Sequence, residues 1–417
     1  MTSSRHALIS GAGIAGSALA LRLAAYGWRT TVLERAPRQR DEGHNIDVRG
    51  TAREVLRRMG LEDAVRAAGT REVGFRVIGD DGRPVAEIPM DPTGSTDGPT
   101  AELEILRGEL ARVLVEAAPA STTFRFGTRI TGVEDRGAGD GPARVALDDG
   151  TTVTADLVVV AEGLRSRTRD LVFDDVTVRE TGLYGAYLTI PRTADDDAWW
   201  NWFHETGSRG VHLRPDNLGT TRAMLTFLSG VRGLETLGDA DVRTVLRRTF
   251  ADAGWVAPRI LRELGDGPDG APMYFDAVGQ VTAPHWSSGR VVLLGDAAYC
   301  PSPLGGGGTS LALIGAYVLA GELAARPGDT AGALRRYEEL LRPATEQAQK
   351  LPPLTLANPR TRAGIRTLRT AFRAVASPAG KRVTGLLGAT PTGAVDAFRL
   401  PDYPAPSSSS VATTARR

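Results

Sequence analysis

The chain has 417 residues, a net charge of +1 and a single cysteine, Cys300. That length holds two or three domains, and the balanced charge argues against a nucleic-acid groove or an anionic membrane surface. One cysteine excludes an intrachain disulfide or a cysteine metal cluster, and the five histidines form no metal-spaced pair.

In chain order, Ala7-Leu8-Ile9-Ser10 is a short apolar strand, and Gly11-Ala12-Gly13-Ile14-Ala15-Gly16 follows at once. Ser17 to Tyr26 carries apolar residues at helical spacing, and Gly27 ends the run. Thr30 to Leu33 reads as a second strand with Glu34 at its end, 18 residues past Gly16. Strand, glycine turn, helix, strand and acid make a dinucleotide-binding βαβ unit. Gly11 allows the tight turn, Gly13 lets a diphosphate approach the backbone, and Gly16 lets helix pack on strand. The helix start supplies free N–H groups for the diphosphate, and Glu34 can accept from ribose hydroxyls. A purely structural glycine turn and a secretory signal are the competing readings; Arg22 inside the apolar stretch argues against the signal.

Further on, Thr51 to Met59 is expected as a helix stopped by Gly60. Val73 to Ile78 and Val85 to Ile88 read as a hairpin around Gly79-Asp80-Asp81-Gly82. Glu104 to Ala118 reads as a helix with Arg107 in its first turn. The apolar run Leu157-Val158-Val159-Val160 suits a strand of a parallel sheet buried on both faces, ending in Glu162-Gly163 and a basic helix start. From Val176 to Gln280 strand-like alternation dominates, with one helix expected over Val242 to Ala253. Arg290 to Leu294 is another buried strand, ending in Gly295-Asp296. The loop Pro303-Leu304-Gly305-Gly306-Gly307-Gly308 follows, and an apolar helix runs from Leu311 to Ala324. An acid at the carboxyl end of such a strand lies where open α/β sheets bind ligands. Leu311 to Gly321 falls short of the roughly 20 apolar residues that span a bilayer, so no integral membrane segment and a cytoplasmic location are expected. Leu334 to Lys350 and Arg360 to Ala376 read as helices, and Pro401 to Arg417 as a disordered tail.

The glycine turn with Glu34 and Arg35, the Glu162-Gly163 stretch and Gly295-Asp296, in this order and spacing, resemble the single-component FAD-dependent aromatic hydroxylases. These include p-hydroxybenzoate and phenol hydroxylases, polyketide hydroxylases and tetracycline-inactivating monooxygenases. The resemblance covers roughly residues 5 to 345. It implies an α/β fold: a Rossmann-like FAD-binding domain, a mainly β-sheet substrate domain and C-terminal helices. The implied boundaries are 1–71, 100–178 and 284–345 for the first, 72–99 and 179–283 for the second, and 346–400 for the helices, before the tail at 401–417.

It also implies that Gly11, Gly13, Ile14, Ala15, Gly16, Glu34 and Arg35 hold the ADP half of FAD, with Asp296 on the ribityl chain. Pro303, Gly306 and Gly308 would lie beside the isoalloxazine ring. Asp47 falls in a mobile-flavin loop with Arg49, and Arg107 reaches the flavin. Glu162, standing where the family has aspartate, is implied with Gly163, Ser166 and Arg169 to form the motif that serves both the FAD pyrophosphate and NADPH, so Glu162 is an expected cofactor-binding residue. The implied reaction uses NADPH or NADH, FAD and O2 to hydroxylate an aromatic or polyketide-like molecule through a flavin C4a-hydroperoxide. A Baeyer–Villiger, epoxidising or saturating oxidoreductase and a non-catalytic flavin-binding accessory protein stay open as alternatives. Trp202, Phe203, Met224, Phe227 and Tyr274, with His212 as a polar contact, are the expected pocket lining, and no general base is assigned. Arg40 and Arg169 are the arginines expected to meet NADPH.

Overall fold

A computed structural model describes residues 4–40, 43–90, 103–134, 141–265, 270–302, 307–351, 353–377, 380, 395 and 398–406. Pro303 and Gly306 lie outside these.

The first sheet has six strands, in the order Ser287–Ser288, Val291–Leu293, Leu157–Val160, His6–Ser10, Arg29–Glu34 and Thr122–Phe126. All neighbours run parallel except the short edge strand Ser287–Ser288. Its central strands are buried along their whole length, as a sheet covered on both faces requires. Helix Ile14–Ala25 packs against helix Gly308–Ala325 and against helix Arg107–Glu116. Helix Gly308–Ala325 has the length and composition to cross a membrane, yet 78% of it is buried inside the molecule.

The second sheet has seven strands, in the order Met273–Thr282, Thr177–Pro191, Thr220–Leu228, Arg209–Pro215, Trp199–Glu205, Gly74–Ile78 and Pro84–Pro89. One face is sealed by helices Asp239–Phe250 and Ala257–Leu264, which bury Tyr184, Leu188, Leu225 and Phe227. Helix Arg362–Ala376 covers the far end of the other face, where Phe372 packs on Phe75 and Trp202. A two-stranded ribbon, Asn45–Val48 with Leu103–Leu106, connects the two sheets.

Three expectations are corrected. Residues 104–106 are strand, not helix: Ile105 pairs with Ile46 and Glu104 with Asp47, and this pairing outweighs local helical spacing. A second helix, Ala257–Leu264, follows Asp239–Phe250, started by Pro258 in its first turn. Residues 401–403 are held rather than loose. Pro401 O accepts from Tyr317, and the Tyr403 hydroxyl donates to Glu322 Oε1 at 2.8 Å while its ring seats on Gly321.

Candidate active site

Glycine geometry shapes the turn after the first strand. Gly11 has φ +111°, and a Cβ there would overlap the carbonyl of Ala161. At Gly16 a Cβ would overlap the Gly11 carbonyl, so these two glycines serve packing. Gly13 differs: nothing lies within 4 Å of where its Cβ would be. The helix that begins at Ile14 has no side-chain cap, so the first-turn amides around Ile14, Ala15 and Gly16 face this open space without an intrahelical acceptor. Glu34 closes the turn by accepting from Ala12 N at 3.1 Å and Ala36 N at 2.9 Å, which leaves carboxylate lone pairs for hydroxyls. Arg35 follows, exposed. The arrangement fits the diphosphate and ribose of a dinucleotide.

The other stretches converge on the same place. Gly295, at φ +65°, approaches so closely that its Cβ would lie 2.9 Å from Ala15 Cβ. Asp296 is therefore beside the first turn of the Ile14 helix. A Cβ on Gly308 would be 3.7 Å from Asp296 Oδ1, which sets the start of helix Gly308–Ala325 against this acid. Asp296 is half-buried. Burial raises its pKa, and the Arg107 charge opposes that rise. Arg107 opens its helix with its N–H on His44 O at 3.0 Å. Asp47 sits opposite Glu104 in the ribbon and pairs with Arg49 at 2.8 Å.

Glu162 is spent on the protein itself. Its carboxylate accepts from Ser10 Oγ, Ser166 Oγ at 2.7 Å, Thr168 Oγ1 at 2.5 Å, and the amides of Arg167 and Thr168 at 3.0 Å. It thus joins the first strand to the start of helix Arg167–Val172. Burial would raise its pKa, but the bonds from Ser10, Thr168 and Ser166 hold it below the ordinary value. Arg169 is 2% exposed and donates to Leu164 O at 3.1 Å, so it is not a surface contact for a nicotinamide cofactor.

On the second sheet, Trp202, His212, Met224, Tyr187 and Tyr274 are successive cross-strand partners. Directly opposed residues share a face, so four of the expected lining residues stand in one row. Phe227 does not join them. Three residues from Met224 along one strand, it points to the opposite face, is 4% exposed, and stacks on Tyr184 and Phe275 under the helices. Phe203 is on that face too, for the same parity reason.

The two ends of the row differ. Trp202 is packed between His204 and His212, with ring centroids 4.5 and 5.1 Å away. His212 is buried, and that burial pushes its pKa well down. At the other end His44, Tyr187, Met224, Tyr274 and Asp276 are only half-buried. His44 stacks on Tyr187 at 4.6 Å and Tyr187 on Tyr274 at 6.1 Å. Burial, with Arg107 and Arg214 nearby, lowers the His44 pKa to about 3, so its ring is neutral. Arg107 acts electrostatically on His44, Tyr187, Tyr274 and Asp296, so this end of the row and the acid lie within reach of one guanidinium. His44, Tyr187 and Asp276 were not anticipated. Alternation offered a signal for Asp276, two residues past Tyr274, whereas His44 reaches the row only through the ribbon's fold.

Comparison with known proteins identifies the family. The family model described as "FAD binding domain" matches residues 5–350. The flavin-dependent monooxygenase eupH of Phoma sp is 34% identical over 95% of this chain and 97% of its own length. The FAD-dependent monooxygenase asL6 of Sarocladium schorii is 32% identical over 95% of this chain and 97% of its own. The crystal structure of tetracycline destructase Tet(55) superposes with a TM-score of 0.77 at 31% identity, covering 97% of this chain and all of that one. With the family model over most of its residues and relatives matched along nearly their whole length, the chain belongs to the FAD binding domain family and is a flavin-dependent monooxygenase.

Proposed function

We propose that the chain uses NADPH or NADH and O2 to hydroxylate an aromatic or polyketide-like small molecule. The observation that carries this reading is the half-buried stack of His44, Tyr187 and Tyr274 under the charge of Arg107. Flat, uncharged, half-buried rings suit a flat, largely apolar ligand. The similarity to a tetracycline destructase supports a polycyclic oxygen-rich substrate.

In this reading Gly11, Gly13, Ile14, Ala15, Gly16, Glu34 and Arg35 hold the ADP half of FAD. Asp296 takes the ribityl hydroxyls, and Asp47, Arg107 and Gly308 border the ring. Glu162 acts on FAD indirectly, by fixing the strand end from which Gly11 turns. FAD, when bound, supplies the redox and oxygen-activating chemistry. The chain's share is to orient the substrate against the sheet, hold positive charge near it through Arg107, and keep water out. The split into a FAD-binding domain, a substrate domain (72–99 and 179–283) and C-terminal helices, and a cytoplasmic location, belong to the same reading.

The test is turnover under isotopically labelled O2 with a panel of phenols, naphthols and polycyclic polyketides. Label in the product, with NAD(P)H consumed faster when substrate is present, is the expected result. No label and no stimulation across the panel would overturn the reading.

A further inference from the structure

Tyr274 is the one hydroxyl in the stack whose proton is already committed. It donates to Asp276 Oδ2 at 2.8 Å. Asp276 is in turn fixed through Oδ1, which accepts from Arg165 Nε at 3.2 Å and from Ala277 N at 2.8 Å. Arg165 is itself anchored to Glu180 at 3.0 Å and Glu235 at 3.3 Å. An ionised carboxylate can only accept, and a phenol has one proton. What Tyr274 has left for a ligand is therefore lone pairs.

We propose that Tyr274 is a specificity-determining residue that accepts a hydrogen bond from the substrate and so selects a phenol or enol over an ether or ketone at that point. The inference rests on the reading that this half-buried row takes an aromatic ligand. Tyr274 and Asp276 stand on the same face as Tyr187 and Met224, at the half-open end of the row. An ether or carbonyl oxygen there would oppose its lone pairs to those of Tyr274. A hydroxyl would pair, and the Arg107 charge that acts on both tyrosines suits the negative charge a donating oxygen develops. Gly185 is cross-strand from Asp276, and the Tyr187 ring lies over it, with its hydroxyl 3.3 Å from where a Cβ would be, so a side chain at 185 would press on this ring.

The test uses the FAD-loaded protein and two probes, 2-naphthol and its methyl ether, with binding followed by the change in flavin absorbance. Wild type should bind the naphthol at least about tenfold more tightly than the ether, the size of one good hydrogen bond. Tyr274→Phe should bring the two affinities together. Asp276→Asn supplies an amide donor to the Tyr274 oxygen, turns the phenol proton outward, and should reduce or reverse the preference. Equal binding of both probes to wild type, or an unchanged preference in both variants, would overturn the proposal and leave the aromatic reading intact. Binding of neither probe would overturn that reading and the proposal with it.

Discussion

Glu162 stands where the resembling hydroxylases carry aspartate, and the extra methylene has a use here. The carboxylate spans from Ser10 at the end of the first strand to the amides of Arg167 and Thr168 at a helix start. Aspartate would have to give up one side of that bridge. Glu162→Asp should therefore lower stability by about 1–2 kcal/mol, as one or two orphaned buried donors cost. Thermal unfolding of the two proteins measures it, and equal midpoints would refute the bridge. The residue type was readable in the sequence, and so was its position at a strand end. Its partners were not, because Ser10 lies over 150 residues away in the chain.

Between elements, the ribbon Asn45–Val48 with Leu103–Leu106 is pinned to the second sheet by one buried cluster. Arg214 pairs with Glu72 at 2.9 Å and Glu104 at 2.8 Å, and its guanidinium lies 4.0 Å over the Trp200 ring. Asn45 donates to Glu104 at 2.7 Å. Two carboxylates share one guanidinium, and burial raises the Glu72 pKa well above the ordinary value while Arg214 opposes it. The fold thus favours protonated Glu72. Its contribution to stability is full below the ordinary glutamate range and is lost as pH rises through the raised pKa. Denaturant unfolding of wild type should weaken across that rise, and Glu72→Gln, which cannot lose the proton, should show a flatter dependence. Parallel profiles would contradict the assignment. Pairing of this kind explains what periodicity missed. Glu104 to Leu106 has helical spacing but pairs as strand. Met224 and Phe227, chosen from one strand for their apolar character, part company because three steps along a strand reverse the face. Tyr403 sits in a Pro- and Ser-rich stretch, and only its tertiary socket at Gly321 reveals it as ordered.

Over the whole molecule, three stretches separated by more than 100 residues each meet at one place. Gly11 abuts Ala161, and Gly295 abuts Ala15. This convergence was legible because each stretch carries its own local sign, a buried strand ending in glycine next to an acid or a helix start. The substrate end was less legible, since its half-open aromatic row depends on register across five strands. Gly13 isolates the central claim, that this turn exists to admit the diphosphate of FAD. It has φ −74°, which any residue adopts, and open space at its Cβ. Gly13→Val should therefore fold as stably as wild type yet occupy the ligand's space. Equilibrium FAD binding to the two flavin-free proteins is the decisive measurement: the account predicts at least about a hundredfold weaker binding for the variant, a loss of roughly 2.7 kcal/mol, and wild-type affinity in the valine variant would contradict it.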